Sequence, residues 1–255
     1  MARRQFDQAT LIVYGVFGAI FVFSVYSAQG STFSLGDLWG LDGLLFRWGV
    51  YGCFSICAIV IDSIAVSMVA QWFGDSRPVR LGRRQVKLRP HADTFGTYII
   101  PFASVIGLGF PFGWAKAIEL NPMVYKRKWQ IVVTRMSGIV ANLLVSGLLV
   151  FIAFSFFYDS AGPKQDLSTV GYEATMMAAA ACGLLAILYL VPIYPLAGSA
   201  WLEAVMPHAW RDRYYKIRPW LIIGFGVVLL LATRVFTSIA SELLNWWFGL
   251  FANWS

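Results

Sequence analysis

Few ionisable side chains fall inside apolar sequence, and those few bound the chemistry open to this chain. Asp62 and Ser63 stand side by side within an apolar run at residues 44–73. A carboxylate beside a hydroxyl suggests an activated nucleophile, yet no His or Lys stands beside them in sequence to act as base. The two histidines are His91 and His208. His91 lies two residues from Asp93, so a metal site using that pair is a second possibility. Cys53, Cys57 and Cys182 all sit in apolar segments. Cys53 and Cys57, at i and i+4, share one helix face. They read as small packing residues, and nothing suggests a disulfide framework.

The elements that carry these residues follow from hydropathy. The 255 residues are 58% hydrophobic and 13% charged, about half the charge usual in soluble domains. Runs of about 20 apolar residues match a hydrocarbon core of about 30 Å. Barrel strands alternate over about 10 residues, and these runs do not, so helices are predicted. The spans expected are residues 10–28, 44–73, 130–158, 175–190 and 219–236. Residues 1–5 are basic but precede a full-length span, which reads as an anchor rather than a cleaved signal. Residues 95–112 are apolar but broken by Pro101, Gly107, Gly109 and Pro111. Basic loops flank that stretch on both sides, so it is predicted to re-enter rather than span. The tail, residues 237–255, carries Trp246, Trp247 and Trp254, an interfacial aromatic belt. Asp62 then lies about 18 Å from the inner end of its helix. At that depth an acid costs at least a few kcal/mol unless a partner or polar cavity receives it.

The net charge of +7 is a topology signal rather than a nucleic-acid footprint. All but Arg47, Lys164 and Arg234 of the 20 Lys and Arg residues fall at the N-terminus or in three loops, at 77–89, 116–135 and 211–218. The opposite loops hold Asp37, Asp42, Asp159, Asp166 and Glu173. This bias puts the N-terminus and the basic loops in the cytoplasm and the C-terminus in the periplasm. It also predicts contact with anionic lipid at the basic face.

A series of short motifs runs through this framework. Segment two ends in Gly74-Asp75, preceded by Asp62-Ser63-Ile64-Ala65-Val66. Then come His91-Ala92-Asp93, Gly96, Phe112-Gly113-Trp114-Ala115-Lys116 and Asn121-Pro122. Gly138 and Asn142 follow in segment three, and segment four closes on Pro192-Ile193-Tyr194-Pro195-Leu196-Ala197-Gly198. In order and spacing the series resembles the site-2 protease family of intramembrane zinc peptidases, in its compact bacterial branch without a PDZ domain. The resemblance covers residues 55–207.

It implies an all-α polytopic membrane fold of about five spans plus a re-entrant segment, with an aromatic-rich interfacial helix at the C-terminus. An anchor helix and outer loop (1–43) would precede a protease-like membrane core (44–207) and a final helix and tail (208–255). The family's metal motif is His-Glu-x-x-His, in which the i, i+4 imidazoles bind zinc and the Glu is general base. Here the three positions hold Asp62, Ser63 and Val66. The third ligand, the Asp of a Leu-Asp-Gly motif, is Ala197, and an Asn before the Pro-rich loop is Tyr189. Ile139 also replaces the usual Pro after Gly138. The family keeps His-x-Asp as a loop feature without zinc.

The resemblance therefore implies a degenerate scaffold without metal, cofactor or catalytic residues. The expected role is a non-catalytic homologue that binds other integral membrane proteins as adaptor, assembly factor or complex subunit in a bacterial inner membrane. Asp62, Trp114, Asn142 and Tyr189 are candidate partner or groove contacts. Two other readings stay open: an active peptidase with relocated ligands, and a proton- or ion-handling protein using Asp62. Asp62 is equally compatible with a carboxyl retained in the old active-site cavity.

Overall fold

The computed structural model describes residues 41–93, 96–97, 113–159, 162–163, 167–193 and 196–207, with scattered residues between 210 and 250. The predicted first span (10–28), nearly all of the 95–112 stretch, most of 219–236 and part of the tail lie outside the described residues.

Three long helices form the described core: α1 (Leu41–Trp72), α3 (Lys128–Phe157) and α4 (Leu167–Tyr189). Each contains a segment long and apolar enough to cross a membrane, at Gly52–Trp72, Lys128–Phe157 and Gly171–Tyr189. Two short helices, α2 (Arg77–Arg80) and α5 (Ser199–Val205), lie between and after them. Among the described residues the strands are one antiparallel pair of two residues each. It joins β1 (Tyr158–Asp159) to β2 (Gly162–Pro163) in the connection from α3 to α4. All three long helices pack on one another. Their shared core includes Ala58 and Ile59 of α1, Ile139 of α3, and Leu185 and Leu188 of α4.

Local chemistry sets the ends that matter for the site. α1 stops at a left-handed Gly74 (φ 92°). The Gly74 amide donates to Gln71 and the Asp75 amide to Ala70, both at 2.9 Å, the paired bonds that close a helix on a glycine. At the start of α3, the Gln130 side chain accepts the Arg127 amide at 3.1 Å, which satisfies one donor the first turn leaves open. Past α4, Pro192 interrupts the helix and the chain folds back, so that the Gly198 amide donates to the Tyr189 carbonyl at 2.6 Å. That return brings Ala197 beside the end of α4.

Candidate functional site

Asp62 and Val66 occupy successive turns of α1 and are both buried. Their i, i+4 spacing points them the same way, into a cavity of about 20 Å³ that Tyr189 and Ala197 also line. Four of the positions singled out in the sequence thus meet at one place. Ser63 is fully buried on the neighbouring face, its hydroxyl unpaired, and does not line this cavity. Asn142 is buried deeper in α3, where its amide donates to the Ala58 carbonyl at 3.2 Å and ties α3 to α1. Asn142 is a helix-to-helix strut within the core. Trp114 stands in the segment that covers the cavity.

That segment, residues 113–119, is irregular and held from several sides. The Trp114 amide donates to the Gly96 carbonyl and the Lys116 amide to the His91 carbonyl. The Ala115 amide donates to the Tyr189 hydroxyl at 3.1 Å. Arg83 donates to the Ala117 carbonyl at 2.9 Å, and Arg135 to the Ile118 carbonyl at 3.2 Å. Backbone without helix or sheet partners needs such side-chain donors and acceptors if it is buried. The motif landmarks are therefore parts of one clamp over the site.

A second clamp sits at the end of α1. Asp75 is buried, and its carboxylate accepts the Arg77 amide at 3.0 Å, the Asn121 amide at 2.7 Å and the Tyr125 hydroxyl at 3.3 Å. Burial lifts the Tyr125 hydroxyl to about 12, so it stays a donor. The Gly-Asp and Asn-Pro motifs, separated in sequence, are thus one hydrogen-bonded unit.

His91 and Asp93 serve the same loop. The fully buried His91 ring places Nε2 2.7 Å from the Gln85 carbonyl, which requires a hydrogen on that nitrogen. Burial depresses its pKa to about 4, so it is neutral at pH 7. The Asp93 carboxylate accepts the Gly96 amide at 2.8 Å. Neither residue lines the cavity at Asp62.

Arg135 is the functional-site residue that the charge pattern does not single out. By charge pattern it belongs with the basic loops, but it lies about two turns into α3 and lines the same cavity as Asp62. Arg83, also buried, completes the cationic surroundings. Burial pulls its guanidinium below the usual range, and the carboxylates of Glu119 and Asp62 oppose that shift. The available signal was spacing: Arg135, Gly138 and Asn142 share one stripe of α3 at i, i+3 and i+7.

Zinc in a catalytic site takes three protein ligands from Cys, His, Asp or Glu. The cavity offers one such side chain, Asp62, with Val66, Tyr189 and Ala197 around it and a guanidinium alongside. Among the described residues no three His, Cys, Asp or Glu side chains gather as a metal-binding group. The residues present at this cavity do not fit a catalytic zinc. Asp62 and Val66 keep an i, i+4 geometry at the cavity, with Asp62 the one potential metal donor lining it.

Comparison with known proteins gives one further finding. A Bacillus subtilis (strain 168) protein named "Putative zinc metalloprotease YwhC" is 27% identical over 190 residues, covering 69% of this chain and 76% of that protein. This similarity supports the likeness drawn from the motifs. No family model and no solved structure matches the chain.

Proposed function

We propose that the chain is a non-catalytic site-2 protease homologue that binds other integral membrane proteins as an adaptor, assembly factor or complex subunit. One observation carries this reading. Asp62, at the place of a metal ligand, shares its cavity with Arg135 instead of with further donors. A guanidinium is always charged and has no acceptor, so it cannot serve as a ligand and repels a divalent cation. The cavity's volume of about 20 Å³ is that of a single water, too small for a peptide group while the 113–119 segment stays in place.

The same reading includes five spans with a re-entrant segment at 95–112, and basic loops on the cytoplasmic side of a bacterial inner membrane. A membrane scaffold that no longer cuts keeps the surfaces on which other helices pack. The step from lost chemistry to a holding role is an analogy at the level of the fold.

Two measurements test it. Metal analysis of the purified full chain should find far less than one zinc per chain; about one tightly held zinc, resistant to chelators, overturns the proposal. Extraction in mild detergent at native abundance, followed by mass spectrometry, should recover other membrane proteins in fixed proportion. A chain that runs alone as a monomer under those conditions counts against a subunit role.

A further inference from the structure

A long apolar groove opens between α3 and α5, away from the cavity at Asp62. Trp129, Val133, Met136 and Val140 of α3 form one wall, and Trp201 and Val205 of α5 form the other. The α3 residues follow i, i+4, i+7 and i+11, so they are one continuous stripe. The groove has a volume of about 800 Å³. The two walls meet where the Trp201 indole donates to the Met136 sulfur at 3.0 Å. Both tryptophans are about half exposed, and Val205 is 77% exposed.

The groove has a polarity along its length. Its upper end is Lys128, preceded by Lys126 and Arg127, all three exposed. From Lys128 to Val140 the helix rises about 18 Å. All of α3, with 30 residues, rises about 45 Å, the thickness of a bilayer with its headgroup layers. The groove therefore ends short of the midplane and occupies the depth of one leaflet. Trp129 and Trp201 mark the interfacial level at which indoles settle.

We propose that this groove is a binding site for one anionic phospholipid, with an acyl chain between α3 and α5 and the headgroup phosphate at Lys126–Lys128. The observed charge complements such a headgroup, and the single-leaflet depth suits an acyl chain. A partner transmembrane helix would need a face running the full 30 Å of the core. This inference does not depend on whether the chain is catalytic.

The test uses the full chain in mild detergent, titrated with phosphatidylglycerol or phosphatidylcholine of identical acyl chains and read by native mass spectrometry. One phosphatidylglycerol should be retained per chain, with half-saturation about tenfold below phosphatidylcholine, as expected for several basic side chains near an anionic headgroup. Neutralising the run (Lys126→Gln, Arg127→Gln, Lys128→Gln) should abolish the preference. Val133→Trp should weaken binding of both lipids by filling the groove, whereas Met68→Trp, on the exposed side of α1, should change neither. Equal retention of the two lipids overturns the site, as does phosphatidylglycerol binding that ignores Val133→Trp. Val133→Cys chains that cross-link in native membranes to a second copy or another membrane protein overturn it in favour of a protein interface.

Discussion

Gly138 of α3 lies directly against Asp62 of α1: a Cβ built on Gly138 falls on the Asp62 carboxylate and 3.1 Å from its backbone oxygen. Only hydrogen fits there, and this is how a carboxyl comes to be accommodated between two packed membrane helices. Gly138→Ala should destabilise the chain by about 1–3 kcal/mol through overpacking. Asp62→Ala in the same chain removes part of the collision, so the double variant should be more stable than the sum of the single changes predicts. Thermal unfolding in detergent measures the cycle. Additive effects would mean that the two residues do not meet.

The buried His91 makes stability depend on acid. Its folded pKa of about 4 lies below the ordinary value of 6.5, so between those values the unfolded chain binds the extra proton. Stability is then fully present above about pH 6.5 and falls as pH drops toward 4, by roughly 3 kcal/mol at the limit. Unfolding temperature followed over pH 4–8 should show this loss, and His91→Gln should flatten it between pH 4 and 6.5. An unchanged slope in the variant would assign the acid sensitivity to other groups.

The Asp75 clamp should matter to the loop it holds. Asp75→Ala removes the acceptor for the Arg77 and Asn121 amides. Charged acceptors of this kind are worth about 1.5–3 kcal/mol each, and the donors would be left without them. Limited proteolysis should cut residues 116–128 sooner in Asp75→Ala, with Asp75→Asn intermediate. Protection equal to that of the parent chain would refute the clamp.

Two arginines of the same basic loop should behave differently. Arg77 pairs with Glu119 at 2.7 Å, but both side chains are about half exposed, so Arg77→Ala should cost under about 1 kcal/mol. Arg83 is buried and holds the Ala117 carbonyl. Arg83→Met should cost more and should loosen the 113–119 segment, read as faster amide exchange at Ala115 and Lys116. Equal effects of the two substitutions would contradict the assigned roles.

How much of this was legible can be judged from particular residues. The second segment, expected at 44–73, is the helix Leu41–Trp72, and 130–158 is Lys128–Phe157. α4 begins at Leu167 rather than near 175, because Tyr172 and Glu173 interrupt the apolar run without interrupting the helix. Backbone hydrogen bonds continue through a polar residue where hydropathy does not.

The sequence by itself determined that the chain has membrane-length helices, that Asp62 stands within the apolar run of one of them, and that Ser63, Val66 and Ala197, which are not zinc-ligand types, occupy other positions singled out. Those properties are local, set by residue type and spacing. Only the tertiary structure decided which of these residues meet. Asp62, Val66, Tyr189 and Ala197 share one cavity because Gly198 turns the chain back onto α4 and Gly138 lets α3 approach α1. The same packing makes Arg135, a topology charge on paper, the cation beside Asp62. Hydropathy assigns a side chain to the membrane or the loop, but whether it faces lipid, core or another charge depends on helices far away in sequence.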